Sequence, residues 1–175
     1  LRAWNDEARA AAEEVIEAGG RVAGNAELEA ALAKVNAMSE RVNEVVHLET
    51  KRLLNQGRIA CVVGGDHAAP YGAIRAYAER FPGLGVLHVD AHADLRRAYE
   101  GFSHSHASIM ENVMRLEGVS RIVQVGIRDF CEEELERIAS SAGRVRTFFD
   151  VQLAAARSRG ALGESFAAAV DALPE

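Results

Sequence analysis

Three short runs in this sequence are apolar along nearly their whole length: Ile59–Val63, Gly85–Val89 and Ile122–Ile127. A fourth, Val145–Phe149, follows them. Helical spacing lies between and after these runs, at Tyr71–Arg80, at 106–116, at 132–141 and at 162–173. A strand that faces solvent on one side alternates apolar and polar residues, whereas one buried on both faces need not. Apolar strands separated by helices therefore predict an α/β fold: a mainly parallel sheet with helices on both faces, in three α/β/α layers. The N-terminal third is helical throughout. Trp4, Ala8, Ala11, Ala12, Val15 and Ile16 form one stripe, which Gly19-Gly20 ends. Leu28, Leu32, Val35, Met38, Val42, Val45, Val46 and Leu53 form a second, closed by Gly57. Either Asn25 or Asn36 could start it, so the spacing allows one long helix or two joined ones.

With 175 residues, the chain is long enough for a core and is read as a single domain, 1–175. Its parts are N-terminal helices (1–57), a core carrying the loop motifs (58–150) and the start of a C-terminal part (151–175). Apolar residues are 49% and charged residues 26%, which is ordinary globular composition. No apolar run is long enough for a membrane-spanning helix, and LRAWNDEARAAAEEV lacks the apolar core of a secretory signal. The net charge is −6, from 26 acidic and 20 basic residues with no basic cluster, which argues against nucleic acid and membrane lipid as partners. Two cysteines far apart in sequence, Cys61 and Cys131, suit reduced thiols in a cytoplasm better than a disulfide framework.

In open parallel sheets, ligands bind in the loops beyond the carboxyl ends of the strands. Two such loops carry chemistry: Gly64-Gly65-Asp66-His67, and Asp90-Ala91-His92-Ala93-Asp94. In an extended segment every second side chain points the same way, so Asp90, His92 and Asp94 could converge, with His67 arriving from the neighbouring strand end. Imidazole nitrogen and carboxylate oxygen suit Mn²⁺, Fe²⁺ or Zn²⁺, and no cysteine is near enough in sequence to suggest a thiolate site. Asp66 reads as a residue that orients His67 or its loop. His88, on a strand whose neighbours Leu87 and Val89 face the other way, reads as a core histidine, and His47, on a helical stripe, as structural or surface. A third loop, Glu100–Ser108, opens a helix and offers His106 as a proton shuttle, with His104 as its competitor; spacing does not separate the two.

The ordered set GGDH (64–67), VDAHADLR (89–96), SHAS (105–108) and VQVGIR (123–128) resembles the ureohydrolase family of arginases, agmatinases and formiminoglutamases, over about 36–134 and most closely its bacterial agmatinase-like members. The resemblance implies a cytoplasmic enzyme with two Mn²⁺ ions and an arginase-like fold, usually a trimer or hexamer. His67 would bind one ion and His92 the other, Asp90 would bridge both, and Asp94 would complete the first ion's set. His106 matches the proton shuttle. The implied reaction attacks a guanidino compound with a metal-bridging hydroxide, giving urea and an amine. Arg96, two residues past Asp94, matches a position that contacts the substrate's carboxylate; it could equally be a solvated or oligomer-contact arginine. The family's later S-x-D-x-D motif has no counterpart, since the aspartates after Asp94 are Asp129, Asp150 and Asp171. With Leu1 at one end and Glu175 at the other, the expectation is a central fragment of a protein roughly twice as long, incomplete at both ends. The alternatives are a formiminoglutamase-type hydrolase, or a catalytically inactive fragment lacking the second aspartate pair.

Overall fold

The computed structural model describes residues 2–175, which fall into two compact units. The first runs to Ala76 and adds Arg97–Ile109; the second comprises Tyr77–Arg96 and Met110–Glu175.

In the first unit, α1 (Arg2–Glu17) and α2 (Ala26–Asn55) form a helical hairpin. Ala11, Val15, Ala31 and Val35 make its buried seam, and Leu32 and Phe102 pack against it. The question of one helix or two is settled by capping. The Asn25 side chain accepts from the backbone N–H groups of Glu27 (3.1 Å) and Leu28 (3.2 Å), so the helix starts there and runs unbroken. Asn36 instead bridges to another segment. Its amide donates to the Gly101 carbonyl and its oxygen accepts from Ser103 N–H, tying the 97–109 segment to α2. Helix α3 (Tyr71–Arg80) begins in this unit. Gly72 lets it approach α2 closely, because a Cβ there would collide with the Asn43 carbonyl.

The expected strand Ile59–Val63 does not form. Residues 58–64 have no assigned secondary structure, and Ile59 and Val63 are 86% and 97% exposed. A parallel strand is held by its ladder to a neighbour, and none of the three strands described below pairs with this run. Apolar content alone does not supply the missing partner.

In the second unit, β1 (Leu84–Val89), β2 (Val119–Ile127) and β3 (Val145–Phe149) form a parallel sheet in that order. Helices α5 (Glu132–Ala139), α6 (Asp150–Ser158) and α7 (Leu162–Asp171) flank it, and α4 (Ile109–Met114) precedes β2. Val123 and Val125 of β2 face Leu153 of α6, Ala169 of α7 and Ala172, closing one apolar layer. The alternate β2 positions, Ile122 and Gln124, are also fully buried, so the central strand is covered on both sides. At the edge strand β1 the cover stops. His88 is 4% exposed, but Leu87 and Val89 on the opposite face are 46% and 72% exposed. Helix α6 was not expected from spacing, and the 106–116 helix is instead a 3₁₀ turn (His106–Ser108) followed by α4. Both cysteines are free thiols. No helix among the described residues is long and apolar enough to cross a membrane.

Candidate metal centre

The loop leaving β1 is held by backbone hydrogen bonds on both sides. Asp90 N–H donates to the Val125 carbonyl (3.1 Å), and the Ala91 carbonyl accepts from Arg128 N–H (2.8 Å) and Asp129 N–H (3.0 Å). The Asp94 carbonyl accepts from Met110 N–H (3.0 Å) and Glu111 N–H (3.2 Å). Glu134, buried on α5, accepts from Leu95 N–H (2.9 Å) with one oxygen and from Cys131 N–H (2.9 Å) with the other. One carboxylate thus caps its own helix and anchors the loop.

This loop is not extended. Asp94 sits at φ 54, a left-handed turn that aspartate tolerates better than most residues. The turn brings Asp94 back toward the strand. Its carboxylate, that of Asp90 and the imidazole of His88 offer ligand atoms within 4.8 Å of one another. His88 Nε2 lies 3.5 Å from Asp90 Oδ2 and 3.9 Å from Asp94 Oδ2. The alternation argument for Asp90, His92 and Asp94 therefore rests on a backbone that the loop does not keep, although both carboxylates do meet. His92 lies on the outer side of Asp90. Its side chain is 61% exposed, with Nδ1 3.2 Å from Asp90 Oδ1 and Nε2 3.8 Å from Asp129 Oδ2.

The donor set fits a divalent cation. Two carboxylates this close repel unless a proton or a cation sits between them, and hard carboxylate oxygens suit Mn²⁺ or a similar ion.

His88 stands beside the carboxylates, though the sequence marked it only as core. The period of two that turns Leu87 and Val89 outward puts residues 88 and 90 on one side, and that parity was the available signal. Gln124 and Glu134 carried no signal, because their roles depend on strand pairing and on helix placement.

Arg96 Nε is 3.9 Å from Glu134 Oε2. In the first unit, the Asp66 carboxylate accepts from Ala68 N–H (2.7 Å) and shapes the turn that carries half-buried His67, the loop-orienting role expected of it. His104 is held by α2: Nε2 lies 2.7 Å from Glu40 Oε2, Nδ1 3.1 Å from Asn43 Nδ2, and the ring packs against Tyr71. His106 is exposed on its 3₁₀ turn, with its ring 5.7 Å from that of Tyr99. The two histidines that spacing could not separate thus differ in setting.

The chain is similar to proteins of known family. The family described as "Arginase family" matches residues 6–165. The agmatinase of Bacillus anthracis is 33% identical over 98 residues, which are 56% of this chain and 34% of that protein. The mitochondrial arginase 1 of Oryza sativa subsp. indica is 36% identical over 118 residues, 65% of this chain and 33% of that protein. The solved arginase from Medicago truncatula has a TM-score of 0.62 at 28% identity, covering 73% of this chain and 41% of that one. The matches span about a third of the length of these curated relatives.

Proposed function

The chain belongs to the arginase family, and from that premise we propose that it is part of a manganese-dependent hydrolase that cleaves a guanidino compound into urea and an amine. The observation that carries this reading is the meeting of Asp90 and Asp94 at the carboxyl end of β1. Two Mn²⁺ ions, when bound, would lower the pKa of a shared water so that hydroxide is available at neutral pH.

The protein's own residues then have separate roles. Asp90 and Asp94 supply the negative charge that holds the cations, and His67 and His92 supply imidazole nitrogen. His106, exposed on its turn, delivers a proton to the departing nitrogen, the general-acid role that imidazole most often takes. Arg96 meets a substrate carboxylate with its planar guanidinium, which favours arginine or a guanidino acid over agmatine. The free thiols of Cys61 and Cys131 support a cytoplasmic setting.

Urea release is the test. Protein supplied with Mn²⁺ is offered arginine, 4-guanidinobutyrate and agmatine, and Mn²⁺ binding is measured alongside by calorimetry. Urea from at least one substrate, lost in Asp90→Asn, is the expected result; bound Mn²⁺ without urea from any of them would count against the reaction. Arg96→Ala should raise KM for the two carboxylate-bearing substrates and leave agmatine little changed. Equal losses on all three would remove Arg96 from substrate recognition.

A further inference from the structure

His88, Gln124 and Thr147 are in-register partners on three adjacent strands: His88 pairs with Gln124, and Gln124 with Thr147. In-register residues of neighbouring strands stand side by side on one face of a sheet, and here the side chains join. Thr147 Oγ1 donates to Gln124 Oε1 (2.8 Å), Gln124 Nε2 donates to the Ala93 carbonyl (2.7 Å), and the same Nε2 lies 3.1 Å from His88 Nδ1.

These contacts fix a proton. A backbone carbonyl only accepts, so the group of Gln124 facing Ala93 must be its NH₂ and the amide cannot be turned round. The second hydrogen of that NH₂ then points at His88, whose Nδ1 must accept it. A neutral imidazole that accepts at Nδ1 carries its proton on Nε2. Nε2 is the nitrogen beside Asp90 Oδ2 and Asp94 Oδ2. A protonated ring nitrogen has no lone pair for a metal.

We propose that His88 is a positioning residue of the metal centre and not one of its ligands: its Nε2–H faces the two carboxylates, and the Thr147–Gln124 ladder sets that tautomer. The proposal rests on the reading of Asp90 and Asp94 as cation ligands and adds a division of labour. A nitrogen close enough to bind metal is reserved for steering the oxygens that do. Gln124 reaches the same loop twice, through His88 and through the Ala93 carbonyl, so the sheet itself sets where the carboxylates stand.

The experiment is ¹⁵N NMR of the histidine rings in the intact chain, first metal-free and then with Zn²⁺ as a diamagnetic probe. In the metal-free protein, His88 should have a protonated Nε2 and a hydrogen-bond-accepting Nδ1, and Zn²⁺ should leave that pattern in place. A proton on Nδ1, protons on both nitrogens, or loss of the Nε2 proton on adding Zn²⁺ would each overturn the proposal. Gln124→Met should release the tautomer into a mixture and weaken Zn²⁺ binding by about 10- to 100-fold, as losing a partner of a metal ligand does. Unchanged affinity with an unchanged tautomer in a folded Gln124→Met chain would also overturn it. If that variant does not fold, the spectrum of the unmodified chain still decides. Failure to bind Zn²⁺ at all would remove the metal reading, while the metal-free spectrum would still judge the assignment of His88.

Discussion

A carboxylate that is to meet another must be aimed by its backbone, and Asp94 is aimed by a left-handed turn. Gly126 plays the complementary part on β2. Its φ of 92 lies where side chains are strained, and a Cβ there would sit 3.1 Å from the Asp90 carbonyl oxygen. Gly126→Ala should therefore cost about 1–3 kcal/mol. Thermal unfolding would measure it, and an unchanged Tm would show that the close approach is not needed. A second residue-scale expectation concerns acid. Arg75 donates to the Glu44 carboxylate at 2.5 Å, and this bond, with the charges of Arg75 and His47, holds the Glu44 pKa below the ordinary glutamate value. A depressed carboxylate stabilises the fold above its unfolded pKa, and the contribution is lost as pH falls through the folded value. The wild-type chain should thus lose more stability on acidification than Glu44→Gln, by a small margin because Glu44 is solvated. Equal acid sensitivity of the two chains would dissociate this pair from stability. Sequence exposed the two carboxylates that meet, since Asp90 and Asp94 stand out by spacing. It could not reveal that Asp94 leaves the extended conformation, because aspartate is compatible with both.

Elements were legible where one residue type fixes an end. Gly19-Gly20 and Gly57 mark helix termini at positive φ, and α3 occupies the residues expected of it. At Asn25 the sequence offered two candidate caps, and only three-dimensional contacts with Gly101 and Ser103 explain why Asn36 is not the second. Asn25→Ala should cost about 0.5–2 kcal/mol in chemical denaturation, and Asn36→Ala should instead loosen the 97–109 segment, read as faster amide exchange there. Comparable exchange in the two variants would contradict this division. The Ile59–Val63 run went astray for a different reason. Strand formation is not a property of a segment, since its ladder needs a partner that local composition does not encode. Helix α6 follows β3 directly, so the spacing signal was truncated where the two elements share Phe149-Asp150.

At the scale of the molecule, metal should behave as a folding ligand. A cation that binds only the native state stabilises it by about 2.7 kcal/mol when its free concentration is about 100 times Kd. Mn²⁺ should raise the Tm of the wild-type chain, and Asp90→Asn and Asp94→Asn should each abolish most of the shift. A rise that persists in both variants would point to binding elsewhere. The edge strand β1 has a further consequence for how the chain behaves in a tube. One of its faces shows Leu87 and Val89 to solvent, and none of the described strands pairs with its outer edge. Such a border is a template for cross-molecule zippering, so concentrated solutions should scatter light progressively, and Leu87→Lys should keep them clear. The strand whose end presents the carboxylates is thus also the one whose open border invites association under crowding.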